Sequence, residues 1–290
     1  MSYKARGILP VFACLLLLAV AGTAQAQEDE EKELGWFNTT DFAWVLTGGN
    51  SQTSTLGLGN VLRHLWDTST FRFEIGGIRS ESTLKTQRAV GSEGDFELFE
   101  ESTSETTAEG YLANARYDWL FSGAWYAYGF GGWERNTFAG FDNRYTGAAG
   151  VGRQFVDTEN TKLKIDLGGT YVNQQDVIPV PGRAESFGGL RLTADWIQTI
   201  TSNTDFTSNL ILDQNLNDTD DLRANWLNAL SIAMSETLAL RTSLQLLWDN
   251  QPSQALVPLF APGGTDPIGT ALAPLNELDT FFTVALVVDL

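Results

Sequence analysis

Phe282-Thr283-Val284-Ala285-Leu286-Val287-Val288-Asp289-Leu290 closes the chain. Successive side chains of an extended backbone point to opposite faces, so Phe282, Val284, Leu286, Val288 and Leu290 form one unbroken apolar face. Thr283, Ala285, Val287 and Asp289 form the mixed opposite face. A strand of this kind suits the last position of an outer-membrane barrel, where one face meets lipid and the free edge pairs with the first strand.

The other terminus points the same way. Lys4 and Arg6 precede an apolar run from Ile8 to Val20, and Ala24-Gln25-Ala26 supplies the small residues a signal peptidase requires. The expected organisation is therefore a signal peptide over 1–26, an acidic periplasmic lead-in over 27–34 and a barrel over 35–290. The run is too short for a spanning helix. Cys14 is placed poorly for lipid attachment, because Phe12 interrupts the acylation pattern and Leu15 to Leu18 continue the apolar core past it.

Cys14 is also the only cysteine, so cleavage would leave no disulfide framework and no thiolate chemistry. The formal charge is −18, and loss of Lys4 and Arg6 makes it −20. So acidic a chain is unsuited to nucleic acid, whose binding needs clustered cations. Gly, Thr, Asn and aromatic residues are plentiful and no long amphipathic helix is visible, which favours an all-β chain.

The alternation predicts about twelve strands, from Trp36 to Gly48 at one end to Leu278 to Leu290 at the other, forming a closed antiparallel transmembrane β-barrel. Tight periplasmic turns are expected at 66–69, 121–123, 156–161, 199–203 and 234–237. Longer outer loops are expected at 81–106, 174–184, 215–220 and 250–277, with 49–51 as a tight exception. Trp66, Phe71, Trp119, Trp125, Tyr126, Phe155, Trp196 and Phe206 lie beside the periplasmic turns and are expected to form an interfacial girdle. Tyr145, Tyr171, Phe187, Trp248 and Phe282 would mark the outer interface.

Strand parity predicts what lines the interior. With Leu163, Ile165 and Leu167 facing lipid, Lys164 and Asp166 face inward, and the same rule assigns Arg72, Glu74, Arg116, Asp118, Arg191, Asp195, Arg241 and Asp289 to the lumen. Both signs are present. Such groups either pack as an ion-pair network that narrows the barrel or stand hydrated beside an open channel.

Gly35-Trp36 at the start of the first strand, Thr47-Gly48-Gly49-Asn50-Ser51 at the first tight loop, and the recurring aromatic strands with short polar turns resemble the YdiY-like family of salt-induced outer-membrane proteins. The resemblance implies an outer-membrane barrel and carries no active-site residues. The chain departs from it in a long outer segment at 81–106 and in ending on Leu290 rather than on an aromatic residue.

Chemistry is sparse. His64, the sole histidine, sits at the periplasmic end of its strand, away from the outer rim where a lipid hydrolase would meet substrate. Asp213 to Asp218 begins like a calcium loop, but Asp218 stands where glycine is required and Ala224 where glutamate is required. The acidic run Glu93, Asp95, Glu97, Glu100, Glu101 and Glu105 suits weak divalent-cation contact at the cell surface or simple solvation. The glycines at 57, 59, 129, 131, 132, 147, 150 and 152 lie inside strands, with no following helix to hold phosphate.

The expectation is a non-enzymatic, cofactor-free outer-membrane protein serving envelope integrity or passive passage of small solutes. Its expected partners are outer-membrane lipids, lipopolysaccharide and, through the last strand, the barrel assembly machinery. The competing readings are a lipid-modifying outer-membrane enzyme and a soluble periplasmic β-barrel binding an apolar ligand, the latter requiring the opposite strand parity.

Overall fold

The computed structural model describes residues 34–47, 51–92, 95–180 and 182–289. The expected signal peptide, Cys14, most of the lead-in, the first loop at 48–50, Glu93 and Leu290 lie outside them. Among the described residues no helix is long and apolar enough to cross a membrane, a test that does not bear on strands.

Among the described residues fourteen strands follow in order: β1 Gly35–Thr47, β2 Ser51–Leu65, β3 Ser69–Ser92, β4 Asp95–Ser122, β5 Trp125–Asn136, β6 Phe141–Asp157, β7 Thr161–Asp176, β8 Ser186–Thr201, β9 Thr204–Asn215, β10 Leu222–Ala233, β11 Leu238–Asp249, β12 Gln254–Phe260, β13 Pro267–Pro274 and β14 Leu278–Asp289. Twelve of them close into an all-antiparallel barrel, in which β14 pairs with both β11 and β1, while β12 and β13 form a separate hairpin. Closure pairs every barrel strand on both sides, the β1–β14 ladder being the short one with four pairs. A twelve-residue strand is about 40 Å long and, tilted by about 40°, crosses about 30 Å, the thickness of a bilayer's hydrocarbon.

Parity holds around the cylinder. Register places Leu163, Ile165 and Leu167 of β7 on the outer face, against Trp196, Ala194 and Leu192 of β8. Phe282, Val284 and Leu286 of β14 are exposed on the same surface. Val287, facing inward between them, is wholly buried. A barrel built to hold an apolar ligand would show the reverse, so the soluble reading fails on this arrangement. Within the outer band Asn38, Thr40 and Asn60 satisfy one another, the Asn60 amide donating to Asn38 Oδ1 and Thr40 Oγ1 at 2.9 Å each. An unpaired amide at this depth would be costly.

The predicted loop at 81–106 is corrected. β3 and β4 continue through it as one ladder, from Glu81↔Thr106 to Ser92↔Asp95. The segment alternates polar residues on both faces, so it carries no period-two signal although its backbone is extended. The 250–277 segment is likewise no plain loop, since it contains the β12–β13 hairpin.

The aromatic rings beside the turns divide between the two faces. Trp66, Trp119, Trp125, Phe155 and Trp196 are exposed near the periplasmic turns, and Phe71 and Phe206 share the outward register of Tyr117 and Gln198. Arg153 approaches the rings of Trp125 and Phe155, 5.5 and 5.4 Å from their centroids, which puts a cation at the edge of the apolar band. Tyr126 is a correction: it is buried on the inner face. Phe187, expected at the outer interface, is also buried and inward. Tyr145, Tyr171 and Phe282 are exposed outside, and Trp248 pairs in register with outward Leu278.

Candidate functional site

The lumen is lined unevenly. On the arc from β4 to β8, inward glycines make a floor onto which large side chains fold. A Cβ at Gly152 would collide with the Tyr126 ring, and one at Gly150 would strike the Leu167 carbonyl and the Tyr128 ring. Only glycine lets the tyrosines of β5 lie flat there. The Arg116 guanidinium stacks over Tyr128, 4.3 Å from the ring centroid. It donates to Asp118 Oδ1 at 2.8 Å and to Asp166 Oδ2 at 2.6 Å, and the Tyr126 hydroxyl donates to the same Asp166 oxygen at 3.2 Å.

Asp166 is the anchor of this cluster, with a side chain 1% exposed. Charge so far from water persists because a guanidinium and a phenol both face it. Lys164 lies beyond, 5.9 Å from the Tyr126 ring. Further round, Arg191 grips Asp213 through two bonds of 2.8 Å, and the Asn209 amide donates to Asp195.

The neighbouring arc, which begins at β3 with Arg72 across the ladder from Arg116, differs. Arg72 and Glu74 of β3 pair at 3.0 Å, yet their side chains are 45% and 34% exposed although they face inward. Space that a water molecule can enter therefore lies beside them. Gly57 and Gly59 of β2 also face inward, but no ring covers them; a Cβ at either would meet Ala43 or Asp41 at 3.5 and 3.7 Å, ordinary contact. Arg241 of β11 reaches across β14 to Asp41 of β1, donating to both carboxylate oxygens at 2.8 Å.

The charges assigned inward by parity whose side chains are described face the lumen, with Arg72 across the ladder from Arg116 and Lys164 across from Asp195. The Asp289 side chain lies outside the description. Asp41, Asp213, Arg144 and Arg223 were missed, although each is flanked in sequence by residues that turn outward.

Arg144 and Arg223 belong to a second cluster at the end remote from the termini. Both donate to Gln174 Oε1, at 2.8 and 3.1 Å, and Arg223 also pairs with Asp221 at 3.1 Å and Asp249 at 3.4 Å. Phe187 lies beneath the Arg223 guanidinium, 5.2 Å away. Beside them opens a cleft of about 470 Å³, lined by Asp176, Arg183, Asn215, Asn217, Asp221 and Arg223 among others. The failed calcium loop is a structural turn: Asn215 Oδ1 accepts from the backbone of Asn217 and Asp218, and its amide donates to Asp221.

His64 faces outward between two indoles, 4.5 Å from Trp36 and 4.0 Å from Trp66. Its Nδ1 is buried without a hydrogen-bond partner among the described residues. Glu97, Glu101 and Glu105 are exposed on the extended part of β4. Among the described residues no cluster of three or more His, Cys, Asp or Glu is arranged to hold a metal.

A closed twelve-stranded barrel with an apolar outside and a charged inside defines a membrane-barrel protein. The chain belongs to the family described as protein of unknown function DUF481, whose model matches residues 40–258. This agrees with the YdiY-like resemblance. No curated protein matches the sequence. Solved structures of similar shape include the NanC porin, with 10% identity over 88% of this chain and 100% of that one and a TM-score of 0.44. The KdgM porin matches with 9% identity over 87% and 98% and a TM-score of 0.39. An anion-selective porin from Comamonas acidovorans matches with 10% identity over 89% and 99% and a TM-score of 0.37.

Proposed function

We propose that the protein resides in the bacterial outer membrane and passes small hydrophilic solutes without catalysis. The observation that carries this reading is the exposure of the inward Arg72–Glu74 pair, 45% and 34%, one strand away from the cluster in which Asp166 is 1% exposed. The packed arc occupies part of the cross-section and the β1–β3 arc leaves water beside it. A twelve-stranded barrel is intermediate in size between filled cylinders and wide porins, so such partial filling decides whether solutes pass.

Lipopolysaccharide and phospholipid are the partners of the outer surface, and the last strand is the segment offered to the assembly machinery. The weak-cation role of the acidic hairpin and the salt-responsive expression implied by the family belong to the same reading. Reconstitution into planar bilayers tests its core. Step-like currents support it, and Arg116→Ala should widen the path and raise the step size. A silent bilayer containing folded protein overturns it.

A further inference from the structure

Among the described barrel ladders the β1–β14 seam is the short one. β1 pairs with β2 over thirteen positions, from Gly35↔Leu65 to Thr47↔Thr53, and β14 pairs with β11 over eleven. Between β1 and β14 the described ladder has four: Thr39↔Asp289, Thr40↔Val288, Asp41↔Val287 and Phe42↔Leu286. Continuing that register would set Ala43 against Ala285 and Trp44 against Val284. These residues are in strands, yet the pairing stops at Phe42.

At the level where it stops, the Arg241–Asp41 pair spans β14 from the lumen side and joins β11 to β1. Arg241 stands opposite Ala285 and Asp41 opposite Val287, both buried beneath the pair. The ion pair thus clasps the seam where backbone bonding gives out. Above it, two strand edges carry polar groups that lipid cannot satisfy. Water or the polar head of a guest can.

We propose that the outer half of the β1–β14 seam is a lateral outlet joining lumen and outer leaflet, that its ligand class is a single-chain amphiphile, and that Arg241–Asp41 is the clasp limiting its opening. An amphiphile fits both sides of such an outlet. Its tail meets Trp44, Val284 and Phe282, which are exposed on the outer face, while its head meets the strand edges and the wet lumen. The activity is additional to small-solute passage and does not depend on it.

Paired cysteines test the geometry. Thr40→Cys with Val288→Cys lies within the ladder and should oxidise readily in the folded protein. Trp44→Cys with Val284→Cys should oxidise at least tenfold more slowly, yet cross-link with a flexible bismaleimide. Equal oxidation of the two pairs overturns the proposal.

Function is read with dansylaminoundecanoic acid added to vesicles carrying the full protein, heat-modifiable gel migration confirming the fold. Protein-dependent uptake is expected, raised severalfold by Arg241→Ala, near the parent level in Arg241→Lys and abolished by the bismaleimide bridge. Uptake equal to protein-free vesicles, or unaffected by the bridge, overturns the outlet. Because ion currents are recorded separately, a silent bilayer with normal uptake refutes only the small-solute reading.

Discussion

The arc from β4 to β8 and the arc from β14 through β1 to β3 share one cylinder, one strand pattern and the same residue types, yet use charge in opposite ways. On the first, Asp166 is sealed under Arg116 and Tyr126. On the second, Arg72 and Glu74 face inward with 45% and 34% of their side chains exposed. Glycine floors exist on both, at 150 and 152 and at 57 and 59. The difference lies in what stands over them: Tyr126 and Tyr128 fill one floor, and no ring fills the other. A charged pair is thus scaffold or wet lining according to the bulk on neighbouring inward positions.

Asp166→Ala should break that comparison most strongly. It leaves the Arg116 guanidinium with one carboxylate in a confined site, and removing one member of a buried pair costs about 3–5 kcal/mol. Urea unfolding in lipid vesicles should show a loss of that order. A loss below about 1 kcal/mol would mean that water already reaches the cluster.

Gly150→Ala comes next. The added carbon meets the Leu167 carbonyl, which is backbone in a paired strand and cannot swing aside, as well as Tyr128. Overpacking of this kind costs about 1–3 kcal/mol. Gly57→Ala at the matching place on the open arc should change stability by less than about 1 kcal/mol, since it meets only ordinary contacts. The larger Gly57→Phe should instead lower single-channel conductance while the protein still folds. If both alanine variants unfold alike, the arcs are not different in packing.

Much of this was open to reading from sequence because barrels repeat one rule. Period-two alternation set the inward register of Arg116, Asp166 and Arg191 without any knowledge of neighbours. The partners were a different matter. Asp166 meets Arg116 across fifty residues and Arg241 meets Asp41 across two hundred, and such distances depend on strand stagger, which alternation does not encode. Tyr126 misled for a related reason. It stands beside a turn, where aromatic rings favour the interface, but Trp125 already takes the outward position and parity sends its neighbour inside. The 81–106 ladder escaped notice because neither of its faces is apolar.

Glu74→Ala should have the smallest effect and is the sharpest check on the open arc. Exposed ion pairs contribute about 0–1 kcal/mol, because water solvates each partner nearly as well as the other partner does. Stability should therefore change by less than about 1 kcal/mol, while Arg72 is left as an unmatched cation beside the water path. Reversal potentials across a salt gradient should shift toward anions, and Arg72→Ala should shift them toward cations. The two shifts must have opposite signs if solutes pass along this arc. A large stability loss in Glu74→Ala, comparable with that of Asp166→Ala, would instead show that the pair is packed, and both arcs would then be scaffold.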